Sequence, residues 1–338
     1  MIRSTLRRLC SDDAGSRAEA AAAAAAVAAA QRLPQLLDAD TETQLARLLY
    51  NEHYSPLDKS PEASKKGMYA ARTELRWLTE WALDLQMSDD RRRSAMKRAV
   101  LERVDFHKPL SYIVGWQPFL DAHILCEHPV LIPRPETEQW ALWLRKLLES
   151  DKDCTGPIEV LDLCCGTGCV GVSLAKIDPR VSVTAVDVSA KAVDLTERNF
   201  KHNGILSERW SVIQGDMFKA LGEKPEPRFD MIVSNPPYIF EDSYAALPET
   251  VSRWEDRLAL VGDKRHRSDP LAYYRELCIE AKLWLRPSTV RCPSVAFEVG
   301  EQADLVGRMF EEKGRGWTDV ELHSDYGGEP RWLVAALE

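Results

Sequence analysis

Hydrophobic positions change their spacing along the chain, and each change marks a different kind of structure. Between Leu33 and about Lys108 they recur at helical intervals. Leu75, Leu78, Ala82 and Leu85 fall on one face with Trp77 and Trp81 beside them, and Met96, Val100, Leu101 and Val104 make a second stripe. Helices that must share such stripes with one another predict a small bundle. Asp105 to Pro109 breaks the pattern. Residues 111–120 and 121–132 then read as strand, turn, strand, and end in Ile132-Pro133-Arg134-Pro135-Glu136-Thr137-Glu138, where two prolines predict an extended, ordered backbone. After Thr137 helical spacing returns at Trp140, Leu144, Leu147 and Leu148, up to a break at 151–157.

From Ile158 strands alternate with helices. Strands are predicted at 158–163, 181–187, 210–216 and 229–237, with helices at 169–176 and 190–202. A helix near 271–285, a strand at 294–300, a helix near 302–312 and strands at 317–325 and 331–338 follow. Such alternation predicts an α/β fold, a Rossmann-like, seven-stranded and mostly parallel sheet covered on both faces. Tyr326-Gly327-Gly328-Glu329-Pro330 is short enough to join the last two strands as a hairpin, which predicts an antiparallel strand at the sheet edge. The expected organisation is a low-complexity segment over 1–32, a helical domain over 33–108, a β-hairpin linker over 109–136 and the α/β domain over 137–338.

Charge and cysteine content narrow the function. Lys and Arg total 44 against 53 Asp and Glu, a net charge of −9 over 338 residues, so there is no general positive excess to neutralise a phosphate backbone and stable nucleic-acid binding is not expected. Outside the first forty residues no run approaches the roughly 18 apolar residues needed to span a bilayer, so no membrane association is expected. The eight cysteines never form two CxxC pairs at zinc-ligand spacing; reduced thiols and no metal are expected, with Cys164 and Cys165 as small buried side chains. Arg3, Arg7 and Arg8 precede any acid and an Ala-rich block runs from Ala20 to Ala30, a composition like that of a mitochondrial transit peptide, with a cytoplasmic protein as the alternative.

Two motifs carry chemistry. Asp162-Leu163-Cys164-Cys165-Gly166-Thr167-Gly168 stands between a strand and a helix, where glycines let a ligand approach the backbone. Asp187 ends the next strand, where a carboxylate can accept both hydroxyls of a ribose, and Asp216 ends the third, within reach of an adenine edge. The competing reading has Asp187 and Asp216 merely capping the helices that follow. The second motif is Asn235-Pro236-Pro237-Tyr238 at the end of the fourth strand. Its prolines remove backbone donors and stiffen the segment, so carbonyl oxygens and the Asn235 side chain are left as acceptors for an –NH₂ group. The Tyr238 ring offers a face for a planar substrate group, and a plain Pro-rich turn is the bland alternative.

These residues resemble a class I S-adenosylmethionine-dependent methyltransferase acting on an amino group. More closely, the chain is similar to the release-factor glutamine N5-methyltransferases of the HemK/PrmC family, from Ser111 to the C-terminus. The specific match is Val130 through Glu138 taken with Asn235-Pro236-Pro237-Tyr238; Ser111-Tyr112-Ile113-Val114-Gly115, Phe297-Glu298-Val299-Gly300 and Asp325-Tyr326-Gly327-Gly328 add to it. The resemblance implies a methyl donor, S-adenosyl-L-methionine, lined by Asp162, Cys164, Gly166 and Gly168, with Asp187 on its ribose and Asp216 and Met217 by the adenine. It implies a substrate glutamine in the Gly-Gly-Gln loop of a class I peptide-chain release factor, the partner that the helical domain helps to engage. Asn235 and the Pro236 carbonyl would bind the glutamine amide, Asn235 also bordering the donor, while Pro237 and Tyr238 pack on the substrate and Arg134 and Glu136 border the pocket. Asn235, Pro236 and Tyr238 are thus the catalytic candidates. An adenine-N6 DNA or RNA methyltransferase would present the same planar –NH₂ to this motif, and a silent binding module on the same fold is the reading outside enzymes.

Overall fold

Asp38 starts the first helix by accepting the Thr41 amide N–H at 2.7 Å, opening α1 (Ala39–Leu49) in a computed structural model that describes residues 36–55, 60–150, 156–223, 227–263, 268–287 and 292–338. The transit-like segment 1–32, with Arg3, Arg7 and Arg8, lies outside the described residues, as do Cys10 and Cys154. The chain divides after Val114 into two units.

The first unit is helical. A π-helical turn, Tyr50–Tyr54, leads to α2 (Pro61–Asp84), which has Ser60 as its cap and Pro61 in the first helical position, and then to α3 (Asp89–Asp105). Leu45, Leu49, Leu75, Leu78, Ala82, Met96 and Val100 form its core. Leu101, expected on the buried stripe, is instead exposed, because five residues on from Met96 a helix has turned its side chain ~140° away. Ala99 fills the buried position. Within this core the Glu74 carboxylate is held by Arg103 at 2.8 Å and by the Tyr54 hydroxyl, so this buried acid is paired.

Residues 111–114 were expected to be strand and are helix: α4 spans Leu110–Val114. The Pro109 carbonyl accepts from both Tyr112 and Ile113, at 3.0 and 3.2 Å, closing a helical turn that sets Leu110, Ile113 and Val114 against the bundle core. The strands that do form, β1 (Trp116–Phe119) and β2 (Ala122–Leu125), pair antiparallel with Trp116 opposite Leu125. Pro135 also differs from expectation. It opens α5 (Pro135–Ser150) from the first helical position, where its missing N–H costs nothing.

The second unit continues with β3 (Ile158–Leu163), α6 (Cys169–Ile177), β4 (Val181–Asp187), α7 (Ala190–His202), β5 (Trp210–Gln214) and β6 (Met231–Ser234). Two short helices, α8 (Glu249–Ser252) and α9 (Arg257–Val261), precede α10 (Ala272–Trp284), β7 (Val295–Glu298), α11 (Ala303–Glu311), β8 (Trp317–Ser324) and β9 (Pro330–Leu337). The seven strands order as β5-β4-β3-β6-β7-β9-β8. The pairs from β5 to β7 are parallel, while β9 runs antiparallel to both β7 and β8. The hairpin therefore closes one edge as expected, with its reversed strand the inner of the two.

Strand alternation splits the core. On β3, Ile158 and Val160 face the cluster built with α5, α6 and α7, and Leu161 and Leu163 face the one built with α10 and α11. Asp162 shares the parity of Val160, so its carboxylate lies under α6, where the Gly171 amide donates to it at 3.1 Å. A Cβ at Gly171 would stand 2.9 Å from Val183 and 3.0 Å from that carboxylate. Gly171→Ala is therefore expected to lower the unfolding free energy by about 1–3 kcal/mol despite alanine's better helix propensity. Urea unfolding checks this; an unchanged midpoint would mean that α6 rides freely over the sheet.

Candidate active site

The chain passes from β3 outward through β4 to β5 and returns to β6 on the other side of β3. Such a reversal opens a crevice at the carboxyl ends of the strands, and that is where both motifs fall. Cys164, Gly166 and Gly168 follow β3 with φ of 58°, 57° and 73°. The left-handed conformation at Cys164 explains why glycine suits this position. The side chain that stands there instead packs with its Sγ 3.5 Å from the Met217 Sδ. At Gly166 an added Cβ would meet nothing within 4 Å, so the turn shows bare backbone to open space.

The turn is held from behind by α7. Thr196 donates to the Gly166 carbonyl at 2.9 Å, and Asn199 donates to the Thr167 carbonyl at 2.9 Å. The buried Asn199 amide also accepts from the Leu125 N–H at 2.7 Å, and Asn203 accepts from the His123 N–H at 3.0 Å, which ties the β1–β2 hairpin to the same helix. Reading the sequence missed these residues. Their signal was present, since Thr196, Asn199 and Asn203 form a polar stripe at helical spacing.

Asp187 does not cap α7. Ser189 does so, accepting from Ala192 at 3.4 Å, which leaves the Asp187 carboxylate to receive the Gly166 N–H on Oδ2 and the Ser189 N–H on Oδ1, both at 2.9 Å. Each oxygen retains a lone pair, and burial raises the pKa of the group. Asp216 lies two residues beyond β5 and makes no side-chain cap either; its carboxylate pairs with Lys219 at 3.0 Å. Burial pushes Asp162 up to about 7 against the Gly171 amide, and it drives the Cys164, Cys165 and Cys169 thiols upward, so these stay protonated.

Asn235 follows β6 directly, one step beyond the pairing of Leu163 with Ser234. Its Nδ2 donates to Thr137 Oγ1 at 3.2 Å. Among the described residues no hydrogen bond reaches its Oδ1 or the Pro236 carbonyl. Pro236 and Pro237 are buried, and the Tyr238 hydroxyl donates inward to Glu298 Oε1 at 2.9 Å. Burial beside Glu298 raises the Tyr238 pKa strongly, which removes it as a base and leaves its ring as the contribution to the pocket. The Tyr238 carbonyl accepts from Gln302 at 3.3 Å, so the motif is pinned on both sides. Glu298 is the residue whose weight the sequence hid. It lay in Phe297-Glu298-Val299-Gly300 as mere support, yet it is fully buried and receives Thr137, Trp140 and Tyr238 together.

Arg134 and Glu136 sit at the start of α5, beside Thr137. The Arg134 guanidinium is held by the buried Glu255 at 2.5 Å, and Glu136 is half-buried in the first helical turn. Among the described residues no group of three or more His, Cys, Asp or Glu side chains is placed to hold a metal ion, and no helix is long and apolar enough to cross a membrane.

A methyltransferase small-domain family model matches residues 143–259. The chain is 35% identical over 243 residues to the release factor glutamine methyltransferase of Chlorobaculum tepidum, covering 71% of this chain and 78% of that one. The corresponding protein of Rhodopirellula baltica is 35% identical over 251 residues, with 73% and 80% covered. The mitochondrial MRF1 N(5)-glutamine methyltransferase MTQ1 of Saccharomyces cerevisiae is 32% identical over 271 residues, with 77% and 78% covered. These relatives make this an S-adenosylmethionine-dependent methyltransferase, and the strand order and matched domain agree with the Rossmann-like form of that class. Within that class the chain belongs to the release factor glutamine methyltransferase family.

Proposed function

We propose that this protein transfers a methyl group from S-adenosyl-L-methionine to the side-chain N5 of the glutamine in the Gly-Gly-Gln loop of a class I peptide-chain release factor. The observation that carries the reading is Asn235-Pro236-Pro237-Tyr238 at the end of β6, where the amide nitrogen of Asn235 is tied back to Thr137 while its oxygen and the Pro236 carbonyl receive no hydrogen bond among the described residues and remain as two acceptors. Two acceptors of this kind match the two N–H bonds of a primary amide.

The bare backbone at Gly166, the spare lone pairs of Asp187 and the sulfur wall of Cys164 and Met217 fit an adenosyl group bearing a sulfonium. In this reading Asp162, Cys164, Gly166 and Gly168 line it, Asp187 takes the ribose, and Asp216 and Met217 border the adenine. When bound, the donor supplies an electrophilic methyl. Asn235 Oδ1 and the Pro236 carbonyl fix the plane of the glutamine amide and turn its nitrogen lone pair toward the methyl, and Pro237 and Tyr238 wall the substrate. Arg134 and Glu136 border its entrance, Arg134 doing so while anchored on Glu255. Holding the two reactants in line contributes on the order of 7–11 kcal/mol. No base is required before attack: as the N–CH₃ bond forms the methyl–sulfur bond would break with its electron pair left on sulfur, and the nitrogen, acidic only once the methyl arrives, would release its proton to solvent.

Asp162 makes the donor step pH-dependent. The donor is cationic, so it favours ionised Asp162, and with the carboxyl at about 7 its dissociation constant is expected to rise about tenfold from pH 8 to pH 6. Asp162→Asn should flatten the profile; a wild-type profile that is already flat would remove Asp162 from donor binding. For folding the same shift acts in the opposite sense. The folded chain keeps a proton that the unfolded chain releases near pH 4, so stability falls as pH rises through about 4 to 7.

The helical unit is assigned to docking of the release factor, and the mitochondrion to its compartment, on the composition of residues 1–32 and the mitochondrial name of the yeast relative. The decisive experiment is methyl transfer to a recombinant class I release factor, to its Gly-Gly-Ala loop variant and to adenine-containing DNA, read by mass spectrometry. Methyl on the loop glutamine alone supports the reading; methyl on DNA, or on neither, overturns it. A fluorescent fusion with and without residues 1–32 tests the compartment, where diffuse cytosolic signal from the full chain would refute it.

A further inference from the structure

An amide side chain has two faces that differ only in which end donates, and the proposed reaction works with one of them. Turned one way, Asn235 offers oxygen to the N–H of a substrate amide; turned the other, it sets donor against donor. What chooses between them lies behind the residue. Glu298 Oε2 accepts from Thr137 Oγ1 at 2.5 Å and from Trp140 Nε1 at 3.1 Å, and Oε1 accepts from the Tyr238 hydroxyl at 2.9 Å. An indole N–H can only donate; burial raises the Glu298 pKa, while the Thr137, Trp140 and Tyr238 hydrogen bonds and the nearby Arg331 charge favour the ionised form, and as a carboxylate Glu298 accepts from all three. Thr137 has one hydroxyl proton and spends it on Glu298. Its oxygen can then only accept, and among the described residues the group at hand is the Asn235 Nδ2 at 3.2 Å.

We propose that Glu298 and Thr137 are positioning residues that set the direction of the Asn235 amide, through a one-way chain of hydrogen bonds from Asn235 Nδ2 to Thr137 and from Thr137 to the Glu298 carboxylate. The chain ends on the buried Glu298 carboxyl, so each donor in it is polarised by the next, and the Asn235 oxygen becomes the better acceptor. Glu298 and Thr137 touch neither substrate nor donor; they act through Asn235. The role rests on the substrate reading above and refines it, since any substrate that presents two N–H bonds to Asn235 and Pro236 requires this orientation.

Thr137→Val keeps the shape and removes the hydroxyl. It is expected to lower kcat on the release factor about 10- to 100-fold, the scale of one lost buried hydrogen bond, while the donor dissociation constant from calorimetry stays within about twofold. Thr137→Ser is expected to restore kcat to within about threefold of wild type, which a purely steric role would not do. Thr137→Ala serves as the second hydroxyl deletion if the valine variant does not fold. In the free protein, the Asn235 side-chain NH₂ resonance, identified by its loss in Asn235→Ala, should show one proton protected from solvent exchange in wild type and in Thr137→Ser but not in Thr137→Val. A foldable deletion variant with wild-type kcat, or an unprotected wild-type resonance, overturns the chain of hydrogen bonds. If wild type leaves the release factor unmethylated, the substrate reading falls, and the resonance alone still decides whether Thr137 orients Asn235.

Discussion

Asn235→Ala loses turnover on the release factor by about a thousandfold, comparable to deleting a group that holds the reacting atoms in an acyl-transfer site, while donor affinity stays within about twofold. The asymmetry follows from where the residue points. Its nitrogen is held by Thr137, within the Glu298 cluster, and its oxygen receives no hydrogen bond among the described residues; with the Pro236 carbonyl it is the pair assigned to the substrate amide. Removing it leaves the glutamine held by a single acceptor, free to turn its lone pair away from the methyl. Calorimetry with the donor and single-turnover kinetics with the release factor separate the two effects. Donor affinity lost in step with turnover would place Asn235 on the donor instead.

Asp187→Ala acts on the other reactant. Two charge-assisted hydrogen bonds to a ribose are worth together about 3 kcal/mol, so the donor dissociation constant is expected to rise about 100-fold. The Gly166 and Ser189 N–H groups also lose their acceptor, which loosens the glycine turn and adds to the loss. At saturating donor, kcat should remain within a few fold of wild type, because Asp187 is assigned to the ribose and not to the transferred methyl. A dissociation constant within threefold of wild type would refute the ribose assignment and return Asp187 to a purely structural role at the turn.

Much of this site is legible in the amino-acid sequence. Period-two and period-3.6 patterns place the sheet strands and the helices on either side of them, and the motifs at strand ends name Asp162, Asp187 and Asn235. Where pattern and fold part company, local spacing competes with packing. Tyr112, Ile113 and Val114 are aromatic and β-branched like strand residues, yet Pro109 presents a carbonyl that closes a helical turn and Leu110, Ile113 and Val114 find the bundle core. Leu101 has the composition of a core residue and the wrong angle for one.

The strand-helix alternation, the glycine turn at Cys164 to Gly168 and the acceptor motif at Asn235 follow from sequence alone, because each depends on the conformational habits of neighbouring residues. The family is carried there too, through motifs that are contiguous. Folding in three dimensions was needed to settle that Ser189 rather than Asp187 caps α7, that Asn199 ties the hairpin to the turn, and that Glu298 gathers Thr137, Trp140 and Tyr238 behind Asn235. Thr137 lies 161 positions from Glu298 and 98 from Asn235. Hydrogen bonds across such separations leave no local periodicity. They exist because the sheet reverses its order beside β3 and brings the start of α5, the end of β6 and the end of β7 to one point, where a buried carboxylate must find donors wherever the chain supplies them.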